Sequence, residues 1–120
     1  MAATPWILAV IQDLMFTVQV SNMAKRHGLA VHYVRTAEDA LAQAAGQPQL
    51  VLIDLNLAGL DTVGLIRQIK ATLPALPVAA YVSHVQVELR AAAAAAGADP
   101  VLPRSSFAVK LPLLLQSLTA

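Results

Sequence analysis

Residues Leu50–Asp61 read LVLIDLNLAGLD, four aliphatic residues running into an aspartate, then a loop and a second aspartate. No polar residue interrupts Leu50–Ile53, so neither side of that segment is built to face water. Strands covered on both faces of a parallel sheet have this composition. Leu50–Asp54 is therefore predicted to be a strand at the centre of a sheet, and Asn56–Asp61 a loop. Asp61 is expected to cap a helix running to about Leu73.

The same alternation continues outward in both directions. Trp6–Ile11 (WILAVI) is a second unbroken apolar run, and Val78–Val82 a third, set off by Pro74 and Pro77. Pro100–Pro103 holds a short fifth strand. In Ala30–Arg35, Val31 and Tyr33 alternate with His32 and Val34, which suits an edge strand. Helices are predicted between them. Leu14–His27 carries apolar Met15, Val18 and Met23 and ends at Gly28. Thr36 starts the next, with Glu38 and Asp39 where the helix dipole favours negative charge, and Gly46, Gln47 and Pro48 end it. Ser83 is expected to cap a helix from Val85 to Ala96, closed by Gly97, whose second half is six alanines. Ser106–Leu118 is the last helix, and Pro112 should kink it or delay its start. Five such alternations describe one α/β domain, residues 1–120, with a parallel sheet covered on both faces.

Composition narrows the function. Hydrophobic residues make up 58% and charged residues 12%, too apolar for a disordered chain. No apolar run approaches the roughly 18 residues of a membrane span, and MAATPWILAVIQD has no basic leader segment, so a cytoplasmic protein is expected. A net charge of +1 with eight scattered Lys and Arg residues gives no nucleic-acid footprint. The absence of cysteine excludes disulfides, thiolate metal sites and thiol nucleophiles. His27, His32 and His84 have no metal-binding spacing. Adjacent Ser83 and His84 cannot readily form a hydrolytic triad with Asp54, and there is no G-x-S-x-G elbow, G-x-G-x-x-G or P-loop. No enzyme activity is expected.

In open parallel sheets chemistry collects at the carboxyl ends of the strands. Those ends carry Ile11, Gln12 and Asp13, then Asp54, then Val82, Ser83 and His84, then Arg104. Asp54 either braces a loop or is a functional carboxylate, since a charge at the mouth of a buried strand is costly unless paired.

VLIDLNLAGLD, with an aspartate ending the strand and Gly59 five residues on, resembles the phosphoacceptor segment of response-regulator receiver domains. GADPVLPRSSF resembles their fifth-strand segment, which usually runs Gly-Ala-Asp, an aromatic, then Lys-Pro-Phe. Val82 and Arg104 lie 28 and 50 residues beyond Asp54, where that family places its switch Thr/Ser and its Lys. The resemblance covers essentially the whole chain. It implies the flavodoxin-like (CheY-like) fold, five parallel strands in the order 2-1-3-4-5 with helices on both faces. It makes Asp54 the phosphoacceptor equivalent, and Val82, Ser83 and Arg104 the phosphate and switch positions. The acid pair that holds Mg²⁺ in the family falls on Ile11 and Gln12, with Asp13 available only through a one-residue shift of register.

At these positions the chain departs from the pattern. Ile11 offers no ligand and Gln12 a neutral oxygen, whereas Mg²⁺ calls for hard oxygens including carboxylates, so no metal or other cofactor is expected. Val82 lacks the switch hydroxyl, and Ser83 comes one residue late. Val101 replaces the aromatic, and Ser105 the proline after the Lys position. Arg104 is expected to pair with Asp54. The resemblance thus implies a degenerate receiver acting through protein contacts, with a histidine kinase, an output domain or a second copy. The expected surface is the face formed by helix 4, strand 5 and helix 5, where helix 4 is apolar almost all round. A working phospho-receiver using Asp54 is the alternative in the same class. A small-molecule binder or enzyme on a flavodoxin-like fold is the alternative outside it.

Overall fold

The structure is a computed structural model and describes residues 4–83 and 86–119. Five strands and five helices alternate: β1 Trp6–Val10, α1 Leu14–Arg26, β2 Ala30–Val34, α2 Ala37–Ala44, β3 Val51–Asp54, α3 Thr62–Thr72, β4 Val78–Val82, α4 Val87–Ala96, β5 Val101–Pro103 and α5 Arg104–Thr119. All strands pair in parallel, in the order β2-β1-β3-β4-β5, which leaves β3 central and β2 at an edge as the apolar patterns require. None of the helices, over the described residues, is long and apolar enough to cross a membrane.

Strand side chains alternate between two cores. Leu8, Val10, Val51, Ile53, Val78, Ala80 and Val82 pack under α2, α3 and α4 with Leu65, Ile66 and Ile69. Ile7, Ala9, Leu52, Ala79 and Tyr81 pack under α1 and α5 with Phe16, Val20, Phe107, Leu111 and Leu115. This two-sided burial explains why β1, β3 and β4 are apolar without alternation.

Helix ends follow local chemistry. Thr36 Oγ1 accepts from Asp39 N at 3.1 Å, and Asp61 Oδ1 from Gly64 N at 3.0 Å, each satisfying an otherwise free amide. Gly97 ends α4 with φ +119°, where a side chain would also press on the Lys70 methylenes.

Two helix starts differ from expectation. α4 begins at Val87, not Val85, and Ser83 does not cap it; Gln86 precedes the helix without giving a side-chain cap. His84 and Val85 lie outside the described residues. Pro112 does not delay α5, which begins at Arg104 directly after β5. Phe107 anchors that first turn between Phe16 and Tyr81, with ring centroids 6.1 and 5.3 Å away, so the helix is seated well before the proline.

Candidate functional site

β3 delivers Asp54 to the carboxyl edge of the sheet, only 8% exposed and in register with Tyr81 of β4. Its Oδ1 accepts from the backbone N–H of Asn56 at 2.9 Å, the local turn that aspartate forms with the residue two positions on. Burial pushes the Asp54 carboxyl above its ordinary range, opposed by the Asn56 N–H and the positive charge of Arg104. Tyr81 is buried beside it, its phenol pushed strongly upward by burial and by the Asp54 charge. The Tyr81 hydroxyl makes no hydrogen bond of proper geometry among the described residues.

β1 delivers a different set. Ile11 is 2% exposed and belongs to the aromatic core with Phe16. Gln12 is exposed and borders a groove toward β2 that Tyr33 and Arg35 also line. Asp13 is the N-cap of α1, with Oδ1 accepting from Phe16 N at 3.0 Å. Its Oδ2 forms an ion pair with Arg104 Nη1 at 2.5 Å. The Phe16 N–H, and then the Arg104 charge, hold the Asp13 carboxyl below its ordinary range against the opposing effect of burial.

Arg104 therefore pairs with Asp13, not with Asp54 as expected from sequence. The reason is where α5 starts. With no loop after β5, the Arg104 side chain leaves the first turn of the helix across the Phe16 ring, its Cζ 5.2 Å from the ring centroid. That path ends at the outer oxygen of the α1 cap, while Asp54 stays recessed. Both partners of the bridge are about one-third exposed, which limits it to roughly 0–1 kcal/mol.

β4 contributes Val82 and Ser83, which face opposite ways. Val82 is fully buried in the aliphatic core. Ser83 is exposed and lines a groove of about 580 Å³ with Phe16, Gln19, Pro103, Arg104, Ser105 and Ala108. Grooves of similar size, about 630 and 660 Å³, lie at the opposite end of the sheet and between α2 and α3. Sequence reasoning missed Asn56, whose Oδ1 accepts from Ser83 N at 2.7 Å and whose Nδ2 donates to Gln86 Oε1 at 2.6 Å. The signal was available, since an Asn between leucines two residues after a strand-ending Asp has its side chain free to bond backbone. Tyr81, the single hydroxyl-bearing residue in VAAYV, was the other unread signal.

Comparison with known proteins agrees with this geometry. Residues 7–114 match the family described as the response regulator receiver domain. A search of curated proteins gives no significant match. Among solved structures, the receiver domain of NtrX from Brucella abortus is 27% identical, with a TM-score of 0.81 over 94% of this chain and 97% of that one. A longer NtrX structure from the same organism, in complex with ADP, matches over 98% of this chain but 27% of its own length. A response regulator from Thermotoga maritima aligns with a TM-score of 0.80 at 20% identity over 98% of both chains, a likeness of fold. The strand order, the five helices and the match over most of the sequence agree, and the chain belongs to the response-regulator receiver-domain family of two-component signalling.

Proposed function

We propose that residues 1–120 form one divergent receiver domain that signals through protein contacts and does not switch by metal-assisted phosphorylation of Asp54. The observation that carries this reading is the fate of the acids at the mouth of the sheet. The first acid-pair position is Ile11, sealed in the core, and Gln12 faces the β2 side. Asp13 has one oxygen in the α1 cap and the other on Arg104. Asp54 is left as a single recessed carboxylate, already bonded to Asn56 N–H.

Receiver domains commonly bind Mg²⁺ at this place, and the donors here do not fit it. One carboxylate without a second free one is a poor match for an ion that requires a near-ideal octahedron of hard oxygens. Charge on a transferring phosphoryl group would then lack the cation that normally neutralises it. Arg104 eases the Asp54 charge without bonding it, and, held over Phe16 by Asp13, it does not take the place of the metal.

Receiver domains interact with histidine kinases and output domains and also dimerise. For this chain exposed apolar groups stand on α4 and α5, with Val87 71%, Val109 76% and Leu113 66% exposed, and also on α1, with Leu14 78%, Met15 74% and Val18 53% exposed. Large exposed apolar residues favour a contact surface. The partner on this reading is a histidine kinase, an output domain or a second copy.

The test is direct. Incubating the protein with acetyl phosphate and Mg²⁺ and weighing it intact should give no phosphoryl adduct. An adduct that disappears in Asp54→Asn would establish a working phospho-receiver instead.

A further inference from the structure

Asn56 bonds in two directions at once. Its backbone N–H donates to Asp54 Oδ1, while its side chain reaches across to the connection between β4 and α4. There Oδ1 accepts from the backbone of Ser83, the residue after β4, and Nδ2 donates to Gln86, the residue before α4. One amide therefore grips both ends of that connection.

Two further observations give this grip its importance. Gln86 stands at the N-cap of α4 but makes no capping bond, because its side-chain oxygen accepts from Asn56. The helix start is thus tied to the Asp54 loop in place of the usual side-chain cap. α4 is also weakly seated, since Ala93 is its one fully buried residue. Val82, meanwhile, has no hydroxyl with which to sense a change at Asp54.

We propose that Asn56 is a positioning strap that holds the β4–α4 connection at both ends beside Asp54. It keeps the start of α4, and with it the α4–β5–α5 face, in one arrangement without any modification of Asp54. This inference rests on the reading of a receiver that does not switch by phosphorylation.

Amide hydrogen exchange followed by NMR on the full chain tests it. The informative amides are Ser83 N–H, bonded to Asn56 Oδ1, and Arg90 N–H, which makes the first turn of α4 through Gln86 O at 2.9 Å. Ala40 N–H, bonded to Thr36 O at 3.0 Å in the first turn of α2, is the matched helix-start reference away from the site. Asn56→Ala should cost Ser83 and Arg90 about tenfold in protection relative to Ala40. Gln86→Ala, which cuts one end, should cost Arg90 alone. If Ser83 and Arg90 change no more than Ala40 in Asn56→Ala, or change equally in Gln86→Ala, the strap is overturned. Should Asn56→Ala fail to fold, Gln86→Ala carries the test by itself. Wild-type protein is treated in parallel with acetyl phosphate and Mg²⁺. Phosphoryl uptake would overturn the silent site and with it the single arrangement, whatever the exchange data give. Unchanged exchange without uptake would overturn the strap alone.

Discussion

α5 and α4 flank the same edge of the sheet but are held by different means. α5 sinks Phe107, Leu111 and Leu115 into a core where Phe16, Tyr81 and Phe107 meet as three tilted rings, with centroids 4.7 to 6.1 Å apart. α4 buries Ala93 completely and leaves most of its other alanines in solvent. Interlocking aromatic rings contribute large area and directional contacts, while a methyl group contributes little. The aromatic face therefore fixes Arg104, which stands on Phe16. The aliphatic face leaves α4 dependent on polar tethers such as Asn56. In this chain the part held by packing and the part held by tethers are assigned to opposite faces of the sheet.

The largest effect that would break this contrast is a truncation on each side. Phe107→Ala removes a fully buried ring and should cost about 3–5 kcal/mol in urea unfolding. Leu89→Ala, half-buried in α4, should cost about 1 kcal/mol. Equal losses would mean that α4 is seated as firmly as α5. The aromatic cluster would then have no special part in holding the site.

The pH dependence of stability sharpens the comparison within the site itself. Asp54 has its carboxyl raised by burial, so it binds a proton more readily in the folded chain than in the unfolded one. Its contribution to stability is full below the ordinary carboxylate range and is lost as pH rises through its raised folded value. Asp13 has the opposite sign: its contribution is present above the ordinary range and is lost as pH falls through its lowered folded value. Asp54→Asn should therefore remove a decline of stability with rising pH, and Asp13→Asn a loss of stability on acidification. Urea midpoints measured from pH 3 to 8 would show both slopes. A stability curve unchanged by Asp54→Asn would contradict the buried, desolvated carboxylate.

How much of this was legible in the sequence depends on how far each residue's partner lay along the chain. Leu50–Asp54 and Trp6–Ile11 announced the buried strands because burial on two faces leaves no polar position to misread. Thr36, Asp61 and Gly97 announced helix ends because caps act over three or four residues. The receiver resemblance, resting on the spacing of Asp54, Val82 and Arg104, gave the fold and the family. The Arg104 partner was misread because the choice between Asp13 and Asp54 turned on α5 starting two residues early. That start was set by the seating of Phe107 against Phe16, 91 residues away. Ser83 was misread as a cap for a similar reason, since its backbone is held by Asn56, 27 residues back. Local chemistry was readable, and contacts between strand ends were not.

The smallest effect concerns Tyr81, where the aromatic face meets the acid. Its hydroxyl is buried, makes no well-formed hydrogen bond among the described residues and lies beside the Asp54 charge. A buried hydroxyl whose approach to Asp54 falls short of a well-formed hydrogen bond recovers little of its desolvation cost, so removing the oxygen and keeping the ring should do little harm. Tyr81→Phe is therefore expected to leave stability unchanged or raise it by up to about 1 kcal/mol. The ring contacts with Phe16 and Phe107 stay in place, since they do not involve the oxygen. A loss of 2 kcal/mol or more would mean that the hydroxyl is a donor that Asp54 depends on. The carboxylate would then be held from the β4 side as well as by Asn56, and the rigid aromatic face would reach into the acid itself.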